Sequence, residues 1–168
     1  MNQIHVALAG NPNAGKSSIF NALTGSHQHV GTWPGKTVEK KEGHFHKDDY
    51  DVKVVDLPGT YSLTAFSPEE VIARDYIIHN KPDVVVTVLD SANLERNLYL
   101  AVQVLELGVP VVAALNMCDV ADSRGIQINQ ERLSSALQSP VVRTVASKGD
   151  GIDDLVRTIL ETAKEKVA

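Results

Sequence analysis

The stretch Gly10-Asn11-Pro12-Asn13-Ala14-Gly15-Lys16-Ser17 constrains this chain more than any other, because it has the form G-x-x-x-x-G-K-[ST]. Before it, Ile4-His5-Val6-Ala7-Leu8-Ala9 sets branched residues at alternate positions, the period of a strand with one well-packed face. After it, Ile19, Phe20 and Leu23 fall on one side of a helix predicted from Ser17 to Leu23. Strand, glycine-rich turn and helix together give the motif a physical meaning. Glycine lets the backbone fold tightly, and successive N–H groups plus the positive helix end converge on an anion such as a phosphate. Lys16 then reaches the outer phosphates, and the Ser17 hydroxyl can ligate a Mg²⁺ that bridges them.

The remaining pattern is that of an α/β domain. Ser26 to Val38 has no period and reads as a long loop, the kind that tends to carry function. Thr37 to His46 and Tyr50 to Val55 read as a hairpin turning at Lys47-Asp48-Asp49, so one strand pair is antiparallel. A second loop runs from Asp56 to Ser67, where Ser67-Pro68-Glu69-Glu70 starts a helix that ends near His79. Asp83 to Leu89 and Pro110 to Leu115 are continuous apolar strands, and the helix between them, Leu94 to Leu107, stops at Gly108. A short helix from Gln130 to Leu137, a strand at Val141-Val142 and a helix from Ile152 to Lys166 complete the chain. Alternating strands and helices predict a mostly parallel sheet of six strands with helices on both faces.

At 168 residues the chain suits one such domain, residues 1–168. A net charge of −5 without a basic stripe argues against nucleic acid as the main partner. The single cysteine, Cys118, forms no internal disulfide and fits a reducing compartment; it reads as a small packed residue rather than a nucleophile. No charged leader precedes an apolar run, and no stretch approaches the ~20 apolar residues of a membrane span, so a soluble piece is expected.

Three later motifs fall where predicted strands end. Asp56-Leu57-Pro58-Gly59 lies at the carboxyl edge of the sheet, where ligands bind in open α/β folds. Asp56 can hold a Mg²⁺-bound water, and the Gly59 N–H can approach a terminal phosphate because no Cβ blocks it. Asn116-Met117-Cys118-Asp119 offers a carboxylate that can accept from the ring N–H and exocyclic amine of guanine, a donor pair adenine lacks. Such a site discriminates by factors of ~10⁴ or more. Asn116 would brace this loop to the phosphate loop. Thr144-Val145-Ala146-Ser147 should back the base, with the Ala146 N–H aimed at the guanine oxygen. Thr37 is placed to complete the Mg²⁺ shell.

In this order these motifs resemble those of the TRAFAC-class GTPases, a Ras-like P-loop fold, over nearly the whole chain. More narrowly, Gly10-Asn11-Pro12-Asn13, Val30-Gly31-x-Trp33-Pro34-Gly35-x-Thr37-Val38-Glu39, Asp56-Leu57-Pro58-Gly59-Thr60-Tyr61-Ser62-Leu63 and Ser67-Pro68-Glu69-Glu70 look like the cytosolic G domain of the FeoB family of prokaryotic ferrous-iron transporters. The resemblance implies a phosphate loop at 10–17 and nucleotide-sensing switch loops near 26–38 and 56–67. It implies GTP or GDP bound by Asn11, Asn13, Ala14, Gly15, Lys16, Ser17, Ser18, Thr37, Gly59, Asn116, Met117, Asp119 and Ala146, with Lys16, Thr37, Gly59 and Asn13 acting in hydrolysis. Mg²⁺ would be held by Ser17, Thr37 and, through water, Asp56. K⁺ would be held by Asn13 and the carbonyls of Gly31 and Trp33, in place of an arginine finger. The partners implied are a helical domain and a membrane permease of the same full-length protein, at the cytoplasmic face of the cell membrane. Homo-oligomerisation is left open.

Thr60 stands where Ras-like proteins carry a water-orienting Gln, which predicts slow intrinsic hydrolysis. Backbone near Thr37 could place the water, with Glu69 or Glu70 behind it or simply capping their helix. Val145 replaces the usual Ser, Met117 the usual Lys, and Lys36 adds a cation before Thr37. His27 and His29 lie in the first loop and His44 and His46 share a strand face; no nearby Asp, Glu or Cys completes a convincing metal set, exposed polar residues on an edge hairpin explain them, and this domain is not expected to bind iron specifically. Two rival readings are a GTPase of ribosome assembly or tRNA modification, and a GTP sensor that barely turns over.

Overall fold

The computed structural model describes residues 2–167. The strands are β1 (Asn2–Gly10), β2 (Gln28–Thr32), β3 (Glu39–Lys47), β4 (Tyr50–Asp56), β5 (Val84–Asp90), β6 (Val111–Asn116) and β7 (Val141–Arg143). The helices are α1 (Lys16–Thr24), α2 (Pro68–Asn80), α3 (Leu94–Glu106), α4 (Cys118–Ser123), α5 (Gln130–Leu137) and α6 (Ile152–Val167). One sheet takes the order β2-β3-β4-β1-β5-β6-β7, parallel from β4 to β7 and antiparallel at the β2–β3 and β3–β4 pairs.

The sequence reading gave six strands; there are seven. The extra strand is β2, inside the segment expected to be a loop. All five of its residues are exposed, so it buries no face and leaves no alternation to read. Its ladder with β3, from Gln28 opposite Gly43 to Thr32 opposite Glu39, is what holds it. A turn of helix, α4, also forms directly after Asn116, too short to show a period.

The central strands are buried on both faces, as their unbroken apolar runs require. On one face Ile4, Val6 and Leu8 of β1 meet Ile19, Phe20 and Leu23 of α1 and Leu155 and Ile159 of α6. On the other, Ala7 and Ala9 of β1 and Val85 of β5 leave room for Ile72, Ala73 and Ile77 of α2 and for Leu100 and Val104 of α3. Leu89, Leu115, Ala101 and Val141 extend the core toward α5. Helix α2 is capped by Ser67: the Glu70 N–H donates to Ser67 Oγ at 3.1 Å, and the same hydroxyl donates to Glu70 Oε1 at 3.0 Å.

Trp33, just after β2, folds back into the core and is only 7 % exposed. Its ring meets Tyr76 of α2 edge-on, centroids 5.4 Å apart, and Lys40 Nζ lies 4.8 Å from the ring centre. Tyr76 also reaches His5 of β1, hydroxyl to Nε2 at 2.6 Å. Burial pushes the Tyr76 phenol up to about 12. Burial and then Lys53 push His5 below the usual histidine value.

Two outcomes follow from this packing. Phe20→Ala should lose about 3–5 kcal/mol of unfolding free energy in urea, since the ring is 1 % exposed between α1 and the sheet. Because the folded state resists protonating His5, this group's contribution is present above the unfolded histidine value of 6.5 and is lost as pH falls through the folded value. Urea midpoints should therefore drop between about pH 7.5 and 5.5, and His5→Gln should flatten that slope.

Candidate functional site

The carboxyl ends of β1, β4, β5, β6 and β7 lie on one edge of the sheet, so Gly10, Asp56, Asp90 and Asn116 sit side by side. After Gly10 the chain turns through Asn13 and Gly15, both with left-handed backbone at φ 71° and 87°. Asparagine tolerates that region and glycine meets no penalty there. The Ala14 N–H donates to the Asn11 carbonyl at 3.2 Å, and the Ile19 N–H returns to the Gly15 carbonyl at 3.1 Å as α1 begins. The free N–H groups at the start of α1 thus face the concave side of the loop.

A cleft of about 630 Å³ opens here, lined by Asn11, Pro12, Asn13, Gly15, Lys16, Ser17, Ser18, Gly59 and Met117. Two motifs far apart in sequence close it. The Lys16 ammonium pairs with the Asp56 carboxylate, both nearly buried. Burial pushes the Asp56 carboxyl up and the charge and hydrogen bond of Lys16 pull it back, leaving it above the usual range. Gly59 lies against Pro12: a Cβ there would stand 3.3 Å from the Pro12 nitrogen. The Thr60 N–H donates to the Gly10 carbonyl at 3.1 Å, which fixes the start of the second loop.

Asn116 is 2 % exposed and both polar atoms of its amide are hydrogen-bonded. Its Nδ2 donates to the Ala14 carbonyl at 3.2 Å, and its Oδ1 accepts from Thr144 Oγ1 at 3.0 Å and from the Ala146 N–H at 3.1 Å. Three loops therefore meet on one side chain. The Ala146 N–H, expected to face a base, is engaged by this buried oxygen instead, which needs donors of its own. Gly15 is required by the same contact, since an added Cβ would come within 2.1 Å of Asn116 Nδ2. Met117 turns with φ 60°, and Asp119 enters the first turn of α4, where Lys148 Nζ is 3.5 Å from its Oδ2. Val145 packs with the third core cluster, and its loop is closed by a backbone bridge to Asp150, so the missing hydroxyl is not what braces it. Cys118 is 6 % exposed and gives its thiol proton to the Leu115 carbonyl.

Other expected residues are not drawn in. Thr37 is exposed between β2 and β3 and does not line the cleft. Gly31 is paired with Lys40 in the β2–β3 ladder, and the Trp33 carbonyl accepts from the Lys36 N–H at 3.0 Å. Thr60 is 5 % exposed and turned inward. Glu70 both caps α2 and holds the second loop: Thr64 Oγ1 and the Thr64 N–H donate to its Oε2 at 2.9 and 3.2 Å, and Ser62 Oγ does so as well. Those bonds, Ser62 first, pull its carboxyl below the usual range.

Sequence reasoning missed what α3 contributes. Gln103 Oε1 accepts from the Leu63 N–H at 2.6 Å, and the Arg96 guanidinium lies 4.5 Å from the Tyr61 ring centre. Arg96 and Tyr61, with Asn11, Asn13, Asp90, Asn93 and Asn97, line a polar hollow of about 220 Å³ behind the phosphate loop. The α3 periodicity marks its core face only; nothing in it announces the polar face.

Comparison with known proteins agrees with this geometry. The family model described as ferrous iron transport protein B matches residues 4–159. The Fe(2+) transporter FeoB of Escherichia coli K12 is 50% identical over 159 residues, 92% of this chain and 21% of its own length. The Fe(2+) transport protein A/Fe(2+) transporter FeoB fusion protein of Porphyromonas gingivalis is 50% identical over 158 residues, 94% of this chain and 19% of its own. The chain thus spans about a fifth of the length of these curated relatives. The FeoB G domain of Methanococcus jannaschii superposes with TM-score 0.87 at 48% identity, covering 98% of this chain and 99% of that one. The cytosolic domain of T. maritima FeoB in a GDP form gives TM-score 0.95 at 45% identity, covering 99% and 66%. With its α/β P-loop fold, its sheet-edge cleft and half its residues in common with these proteins, the chain belongs to the FeoB family and corresponds to its G domain.

Proposed function

We propose that this chain binds GTP with Mg²⁺ in the sheet-edge cleft and hydrolyses it to GDP and phosphate. The observation that carries the reading is the contact of three separate motifs. Lys16 of the phosphate loop pairs with Asp56, and Asn116 hydrogen-bonds the backbone of the same loop. Structures of S. thermophilus NFeoB bound to GDP and of T. maritima FeoB in a GMPPNP form add weight, at 48% and 47% identity.

On this reading the free N–H groups of the loop and of α1 take the phosphates, and Lys16 turns from Asp56 to their outer oxygens. Asp56, released from its partner, and the Ser17 hydroxyl are hard oxygen donors of the type a small divalent ion prefers. When bound, Mg²⁺ would neutralise charge across the β- and γ-phosphates. Thr37 would reach the site only if the β2–β3 connection swings inward, and Gly59 would move with the second loop; these are the two nucleotide-sensing switches. Asp119 selects guanine, with Lys148 as its neighbouring cation. Asn13, exposed on the loop, with the carbonyls of Gly31 and Trp33 after the same rearrangement, would hold K⁺, which adds positive charge where it develops in the transition state. Thr60 presents no side chain to water, so the rate without K⁺ is slow.

In the full-length protein the domain would lie at the cytoplasmic face of the cell membrane, joined to a helical domain and a permease, its nucleotide state governing Fe(II) uptake. Guanine nucleotide, rather than nucleic acid, is its partner.

Phosphate release from GTP in KCl and in NaCl tests the reading. Turnover should be severalfold faster in KCl, and Asn13→Ala should abolish that difference. Asp119→Ala should erase the preference for GTP over ATP. Tight GTP binding with no turnover in either salt would favour the sensor reading. Asn116→Ala strands the Thr144 hydroxyl and the Ala146 N–H. It should lower unfolding free energy by roughly 2–4 kcal/mol and weaken GTP binding at least tenfold, read by urea titration and calorimetry.

A further inference from the structure

Away from the cleft, the β3–β4 hairpin gathers three metal-ligating side chains on one face of the sheet. His44 and His46 alternate on β3, and the register sets Asp51 of β4 directly opposite His46. Alternate positions of a strand share a face, and directly opposed residues do too, so both imidazoles and the carboxylate lie on the same side. Asp51 Oδ1 is 3.5 Å from His46 Nδ1 and 3.7 Å from His44 Nδ1. That oxygen is itself buried and accepts no hydrogen bond. The sequence reading held that no carboxylate completes a set with these histidines; the strand register supplies one.

We infer that His44, His46 and Asp51 form a binding site for a divalent first-row transition ion, distinct from the Mg²⁺ position of the proposed GTPase. Two imidazole nitrogens and one carboxylate oxygen form a borderline donor set that suits Zn²⁺, Co²⁺ or Fe²⁺ and not the all-oxygen preference of Mg²⁺. The spacing is right in scale: donors about 2.1 Å from a tetrahedral ion lie about 3.4 Å apart. Among the described residues no group of three or more His, Cys, Asp or Glu side chains already stands in place to hold a metal ion. Both rings are more than half exposed and turn without disturbing the core, so the ion closes the site itself. Lys53, the cation opposite His44, is drawn toward Glu42, its Nζ 3.4 Å from the carboxylate. Beside His44 and Asp51 a cleft of about 380 Å³, bounded also by His5, Lys53 and Asp83, leaves room for a water in a fourth position.

Calorimetric titration of the intact chain with Zn²⁺, repeated with Co²⁺ and followed by its visible absorption, tests this in excess Mg²⁺, which occupies oxygen-only sites. One ion per chain should bind, and a Co²⁺ band typical of low coordination should appear. His46→Ala and Asp51→Asn should each weaken binding at least tenfold, His44→Gln similarly, and His79→Ala not at all. Thermal melts followed by circular dichroism check that each variant is folded; the three histidine changes are at exposed positions. Absence of saturable one-to-one binding, or binding that survives loss of both His46 and Asp51, overturns the assignment.

Discussion

One carboxamide holds the functional edge of this domain together. Asn116 ends β6 and joins the phosphate loop, the Thr144 strand end and the Ala146 turn by three hydrogen bonds, all buried. Buried polar groups cost free energy unless paired, so the phosphate loop and the Thr144–Ala146 segment must close on Asn116 together or leave several groups unsatisfied. That coupling explains why Gly15 can carry no Cβ. It also explains why the α4 turn begins directly after Asn116: the side chain faces inward while Met117 takes a left-handed turn to redirect the chain.

The opposite half of the cleft is set differently, by an ion pair. Lys16 and Asp56 satisfy each other in a poorly solvated place where neither would be comfortable alone. On the proposed reading phosphate oxygens would replace Asp56 as the partner of Lys16, and Mg²⁺ would replace Lys16 beside Asp56, so neither group would be left without an opposite charge. The second loop between Asp56 and α2 is held by contacts with other elements, to Gly10, Gln103 and Glu70.

The parts legible in the sequence share one property: their signal is local. The phosphate loop is contiguous, β5 and β6 are unbroken apolar runs, and α2 announces itself with Ser67-Pro68-Glu69-Glu70. What escaped reading depends on partners distant in the chain. Strand β2 exists only because β3 offers it an edge; Gln103 and Arg96 gain a role only when α3 lies beside the second loop. Asp51 meets His44 and His46 only through the hairpin register. The hydrogen bond from the Ala146 N–H to Asn116 likewise joins residues 30 positions apart.

Trp33 gives the segment between α1 and β3 an unusual kind of restraint. Every residue of β2 before it is exposed, and the indole is the one large group that roots this segment in the core. A flat ring wedged edge-on against Tyr76 has no half-withdrawn position that keeps its contacts, and burial of such a side chain is worth about 2–3 kcal/mol. The segment therefore behaves like a detent: small pulls leave it seated, and a pull beyond a threshold frees it at once. As the chain's sole tryptophan it would report that event in its own emission, without any label.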